Sequence, residues 1–351
     1  MPTRRQSMLA VLRRERDDIV PMSIEFDAVA LKKYAPRLGN RSAGDFFDHW
    51  YREVWLHEEK ARRDLDYGAF YAELPPDATI DVWGQATCTN PCEAVFHYHP
   101  MQGFTEVGQI DDYPFPDFSR SACRDGVRER VDRLKEQDLV AIGMTARVVF
   151  PISWQLRGMT EFMMDLAIRP AFAERLLDRV TACQLEIVRA LAEAGVDVLW
   201  LGIDVATQTS TMISPEMWGS WIKPRMGILF NEAKRINPDI ILAIHCCGAV
   251  TPILDHLVDL GVTIVNPVQP EAIDLPYVKA KYGQQVTFWG GVSVQHTLPF
   301  GTPEQVKNEV EERVRVLGRG GGYVVCPAHH IPSDVPWENI LAFVEQARLY
   351  G

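Results

Sequence analysis

A histidine and a cysteine two positions apart, His245-x-Cys247, carry the sharpest chemical signal in the chain. The side-chain period of an extended strand is two, so both residues point to the same face. An imidazole and a thiolate so placed can share one Zn²⁺, and a catalytic zinc takes three protein ligands and keeps one position open. Cys326, His329 and His330 follow near the C-terminus, and either His329 or Cys326 would supply the third ligand. The competing reading of the pair is a buried Cys246-Cys247 beside a hydrogen-bonded histidine. Cys88 and Cys92, with His97 and His99 behind them, loosely imitate a structural zinc site. Their spacing fits no strong pattern and reads as loop cysteines and surface histidines. Asp204 closes Leu201-Gly202-Ile203-Asp204. A carboxylate there can orient substrate, exchange a proton or steady a metal-bound histidine, or simply cap a helix.

An alternation of strands and helices must position these residues. Residues 196–202, 240–245, 262–268, 286–289 and 323–326 read as strands, with earlier ones at 19–26, 79–83 and 139–144. Helices are expected over 121–137, 170–194, 250–260, 275–282 and 336–349. Two more open at Ser214-Pro215-Glu216 and at the capping-box pattern Thr302-Pro303-Glu304-Gln305. Strands apolar on both faces imply a parallel sheet covered by helices. About eight of them favour an α/β fold of the (β/α)₈ TIM-barrel type over an open sheet. The expected organisation is one barrel domain over 1–351, with an N-terminal helical extension at 1–18 and an elaborated loop or lid region at 67–118. Active sites of such barrels lie at the carboxyl ends of the strands. Asp204, His245, Cys247, Asn266, Gln269, Ser293, Cys326 and His329 all follow strands. The glycines at 318 and 320–322 precede one, so they mark a helix stop and tight turn rather than a phosphate loop.

Composition narrows the function classes. Thirty-six Lys and Arg against 47 Asp and Glu leave a net charge of −11 over 351 residues. That balance argues against nucleic acid and anionic membranes, which both select basic surfaces. No apolar run reaches the roughly 18 residues of a membrane span. Thr3-Arg4-Arg5 is followed at once by charged residues, which leaves no room for the apolar core of an export signal. The seven cysteines are an odd number in a chain too long to need staples. Thiols or metal ligands fit better than disulfides, and the cytoplasm is the expected compartment.

With His245-x-Cys247-Gly248 the chain resembles the uroporphyrinogen decarboxylase superfamily, in particular its corrinoid-dependent methyltransferases. The resemblance runs through Thr79-Ile80-Asp81-Val82-Trp83-Gly84, the Asp204 strand end, Ile213-Ser214-Pro215-Glu216, Asn266-Pro267-Val268-Gln269, Trp289-Gly290-Gly291 and Pro336-Trp337-Glu338-Asn339-Ile340. True decarboxylases of the superfamily carry an arginine-rich N-terminal segment that clamps substrate carboxylates. Here the first strand reads Val20-Pro21-Met22-Ser23-Ile24-Glu25-Phe26, acidic and without arginine. Members of the methyltransferase branch hold zinc with His-x-Cys and a distant cysteine after Pro-Gly. This chain has Pro327-Ala328-His329 in that register, so the resemblance puts His329 in the cysteine's place, with Cys326 as the substitute.

The resemblance implies zinc on His245, Cys247 and His329, and methyl transfer between a small methoxy, thioether or thiol substrate and a corrinoid (cobalamin) carried by a partner protein. Asp204 and His329 would take the catalytic roles, with Asn266 and Gln269 as polar substrate contacts. Trp83 and Trp289 would form an apolar wall suited to an aromatic methyl ether. A homodimer is compatible with this reading. Two rivals stand beside it. One is a metal-independent decarboxylase or lyase using Asp204 and His329 for proton transfer, and the other is a non-catalytic ligand-binding barrel.

Overall fold

Seven parallel strands make the central sheet of the computed structural model, which describes residues 2–62, 66–89 and 95–351. They are β1 (Tyr51–Val54), β5 (Val140–Thr145), β6 (Val198–Gly202), β7 (Ile241–His245), β8 (Ile264–Asn266), β9 (Thr287–Val292) and β10 (Tyr323–Pro327), paired in that order. The segment 20–26 closes the ring. Met22 bridges in parallel to Val325 of β10, and Phe26 to Ile331 just beyond it. On its other flank the Ser23 hydroxyl meets the Tyr51 hydroxyl of β1 at 2.7 Å. The sheet is thus the TIM-barrel type expected, with one stave held by isolated bridges instead of a continuous ladder.

Strand alternation divides two cores. Val140 and Ile142, Val198 and Trp200, Ile241 and Ala243, Val324 and Cys326 point inward and pack together. Their neighbours Ala141, Leu199, Leu242 and Val325 point outward to the helices. Apart from β1, these strands show the two-residue period with both faces largely buried, which is why their segments read as uninterrupted apolar runs.

The N-terminal extension proves to be the floor of the barrel. Thr3 caps the helix Arg4–Leu12 through a capping box, and Met8, Leu9 and Leu12 enter the inner core. Arg5 pairs with Asp197 just before β6 (2.5 Å), and Thr287 Oγ1 donates to the Leu12 carbonyl at 3.0 Å. Leu12 is fully buried, so Leu12→Ala should cost about 3 kcal/mol in lost transfer and cavity energy. A urea-midpoint comparison with the parent chain reads this directly; an unchanged midpoint would mean that the helix is not part of the cooperative core.

Two expectations from sequence need correction. The stretch 79–83 is not a barrel strand. It contributes β2 (Thr79–Ile80) to a small antiparallel sheet with β3 (Ala86–Thr89) and β4 (Val95–Tyr98). The barrel strand of that half is β1, where Arg52 and Glu53 break the apolar run. The helix expected over 121–137 is split into Ser121–Arg124 and Val127–Glu136 at Gly126, whose φ of 68° is left-handed. The elaborated region docks sideways onto the helices Val149–Arg157 and Met159–Ile168. There the buried Arg157 pairs with Asp165 at 2.7 Å and donates to the Met101 and Gln102 carbonyls.

Candidate metal centre

The carboxyl end of β7 carries His245, its last residue, and the chain then turns through Cys246 and Cys247 to Gly248. Gly248 has φ +82°, and a Cβ there would lie 2.1 Å from the Thr207 carbonyl oxygen, so only glycine fits the turn. Its N–H donates to Gln269 Oε1, which also accepts from Gln208. The Cys247 N–H donates to Asp204 Oδ1 at 3.0 Å. Two neighbouring strand ends therefore hold the turn that presents the thiol.

His245 is fixed in orientation and tautomer. Asn266, at the end of β8, donates its amide to the Trp289 carbonyl at 3.1 Å, which leaves Asn266 Oδ1 facing His245 Nδ1 at 2.6 Å. A carbonyl oxygen can only accept, so Nδ1 carries the proton and Nε2 keeps its lone pair. That Nε2 lies 3.4 Å from Cys247 Sγ and 3.8 Å from Asp204 Oδ1. The His329 ring comes across from the β10 end, 5.7 Å from the His245 ring centre and at 67° to it.

One ligand atom from each of His245, Cys247 and His329 lies within 4.8 Å of the other two. Zinc bonded to nitrogen at about 2.0–2.1 Å and sulfur at about 2.3 Å requires donors spaced by the tetrahedral edge, so the 3.4 Å pair already fits and His329 needs only a small approach. The chemistry of the donors agrees. His329 opens to solvent on one side, yet desolvation of its packed side, then His245 and His330, lower it to about 4. It is neutral at pH 7 and offers a lone pair. Burial, then Asp204, pushes the Cys247 thiol up to about 12, so the free thiol keeps its proton until a cation displaces it.

Cys326 does not join these donors among the described residues. It is buried deeper in the barrel, and burial pushes its thiol up to about 12. Cys246 is buried too, and its Sγ accepts from the Val205 N–H at 3.5 Å, a structural contact between strand ends. At the rival cluster, His97 is bonded to Gln85 (2.8 Å) and His99 to the Gln155 carbonyl (2.7 Å). Cys88 meets Asp77, while Cys92 lies outside the described residues.

A cavity opens beside the donors, with His245, Asn266, Trp289 and His329 in its wall. Trp83 is not there. It is buried against Phe118, and the motif around it is a turn in which Asp81 Oδ1 accepts from the Trp83 and Gln85 N–H groups. Gln269 is absent from the wall as well, because its side chain is spent on the Gly248 turn. Asn266 reaches the cavity, but both ends of its amide are engaged in holding His245 and Trp289. Asp204 stands beside the donors with its side chain 41% exposed and supports the Cys247 backbone. The wall residues missed from sequence include Tyr51, Glu53 and Trp200, and Glu25, Met144 and His330 line the cavity with them. Tyr51 and Glu53 lie two apart on β1, so recognising that strand would have placed both on one face.

Residues 104–350 match the uroporphyrinogen decarboxylase (URO-D) family. The chain belongs to that family. Its uroporphyrinogen decarboxylase-family relatives are enzymes of two kinds. One is the methylcobamide:CoM methyltransferase MtaA of Methanosarcina barkeri, 27% identical over 171 residues, covering 49% of this chain and 47% of that protein. A methylated-thiol–coenzyme M methyltransferase of Methanosarcina mazei is 24% identical over 199 residues, covering 57% of this chain and 50% of the relative. A uroporphyrinogen decarboxylase of Chlorobium luteolum is 26% identical over 179 residues, covering 50% and 48%. The chain spans about half the length of the curated relatives it matches. Among solved structures, a methyltransferase from Methanosarcina mazei superposes with a TM-score of 0.72 at 19% identity, covering 100% of this chain and 99% of that one. This URO-D family member therefore shares its whole fold with a methyltransferase. No helix among the described residues is long and apolar enough to cross a membrane.

Proposed function

We propose that this chain is a zinc-dependent methyltransferase that moves a methyl group between a small O- or S-methylated substrate and a corrinoid carried by a partner protein. The observation that carries the reading is the convergence of His245, Cys247 and His329 within 4.8 Å at the carboxyl end of the barrel. Zinc on these residues would supply Lewis acidity toward the oxygen or sulfur that releases or receives the methyl group. Asn266 holds the His245 lone pair toward the site, and Asp204 and Gln269 hold the turn that presents Cys247. Trp200, Trp289 and Met144 keep water from one side of the cavity. The wall holds neither lysine nor arginine among the described residues, which disfavours a polycarboxylate substrate of the decarboxylase type. The six free cysteines among the described residues accord with a cytoplasmic protein.

The test is methyl transfer to reduced cobalamin, followed by the change in the cobalamin spectrum, with zinc-loaded full-length chain and a panel of methoxyarenes, methyl thioethers and methylated thiols. Formation of methylcobalamin that stops on chelation and returns with zinc is the expected result. No transfer from any member of the panel, or transfer indifferent to zinc removal, would overturn the proposal.

A further inference from the structure

The cavity beside the donor trio carries an unbalanced charge and an aromatic corner. Its wall includes the carboxylates of Glu25 and Glu53 and no lysine or arginine among the described residues. Glu25 Oε1 accepts from the Tyr51 hydroxyl at 3.0 Å, and Glu53 Oε2 accepts from Trp55 Nε1 at 2.9 Å. Among the described residues neither carboxylate forms an ion pair with lysine or arginine, and the basic group nearest Glu25 Oε1 is the buried His49 Nδ1 at 3.6 Å. The nearby Arg130 spends its hydrogen bond on the Glu53 backbone carbonyl. Burial raises the Glu53 carboxyl, and Glu25 adds to that, against the lowering by the Trp55 hydrogen bond and by Arg130. Two carboxylates facing one open cavity repel each other and favour a cation between them.

The aromatic side is an independent observation. Tyr51 and Trp200 flank Trp289, with ring centres 5.2 and 5.1 Å from it and interplanar angles of 81° and 89°. All three rings line the same cavity. A corner of perpendicular rings presents π-electron density to a rounded cation, and alkylated ammonium groups are the ligands such corners hold best. The cavity measures about 90 Å³. That is several times the roughly 10–15 Å³ needed to hold one water, so the cavity admits a small organic ligand.

We infer that this cavity selects a small substrate with an alkylated ammonium group, held by Glu25, Glu53 and the Tyr51–Trp200–Trp289 corner. The inference rests on the methyltransferase reading only in placing the other end of that substrate near His245, Cys247 and His329. Anionic substrates, sulfonates and carboxylates alike, are repelled by the same wall.

The experiment is isothermal titration of the full chain with choline and with its uncharged isostere 3,3-dimethylbutan-1-ol, in zinc-free and zinc-loaded protein. Choline should bind about tenfold more tightly. Glu25→Gln and Glu53→Gln should each cut that preference by about threefold while leaving the isostere unchanged. The isostere comparison needs no variant, so a misfolded mutant cannot mask the answer. Equal affinities, or a preference for 3,3-dimethylbutanoate, would overturn the inference. Zinc binding and methyl transfer from a neutral donor, without a choline preference, would sink the charge inference alone. A choline preference in a chain that binds no zinc would uphold it and sink the metal reading.

Discussion

Serine in place of Cys247 should strip zinc from the chain, whereas serine in place of Cys326 should leave it bound. The two thiols are alike in burial-raised pKa, both pushed up to about 12, so intrinsic reactivity does not separate them. Geometry does. Cys247 Sγ stands 3.4 Å from His245 Nε2, while Cys326 packs in the inner core, where it lines the cavity, and stands outside the donor group among the described residues. Losing an outer partner of a metal ligand typically weakens binding by about 10- to 100-fold. Loss of a direct ligand should exceed that, so Cys247→Ser should weaken zinc by at least about a hundredfold. Competition with a chromophoric chelator measures the affinity, and elemental mass spectrometry after dialysis gives the stoichiometry. The reverse pattern, with metal lost in Cys326→Ser and kept in Cys247→Ser, would put Cys326 in the place of Cys247 among the ligands and discard the arrangement described above.

The barrel was legible where both faces of a strand are buried. Val198 to Gly202 and Tyr323 to Pro327 have no exposed residue, so nothing polar interrupts them. Helix limits were legible where capping chemistry is local: Thr302 bonds Gln305 as its spacing predicts, and Pro170–Ala194 ends at the left-handed Gly195. What escaped has a common cause. Inward positions facing the cavity need not be apolar, so Glu53 disguises β1, and the strand's Tyr51 was lost with it. The opposite error occurred at Trp83, which the resemblance had placed in a binding wall. Its role is to fill the core beside a turn set by Asp81. His245 and Cys247 could be paired from spacing alone. The hydrogen bonds with Asn266, Asp204 and Gln269 that orient them link three strand ends, and no local spacing encodes such contacts. His329 likewise comes from a chain segment more than 80 residues away, and only the closed barrel brings it across.

Zinc affinity should rise with pH by about tenfold per unit between pH 7 and 9. The sign follows from the Cys247 thiol. Burial and the neighbouring Asp204 push it up to about 12, so across this window the free protein holds the proton and the metal must displace it. Each unit of pH then lowers the work of removing one proton by about 1.4 kcal/mol. His329 adds nothing to the slope, because desolvation lowers it to about 4 and its ring is already neutral throughout the window. The slope should therefore be one, with one proton released per zinc, as read from titrations in buffers of different ionisation enthalpy after correction for zinc hydrolysis. In Cys247→Ser the slope should vanish along with the tight binding. A slope of zero in the parent chain would show that the thiolate is preformed, and the burial argument for Cys247 would fail. A slope of two would show a second proton leaving with the metal, which the neutral His329 cannot supply, and the ligand set would have to be redrawn.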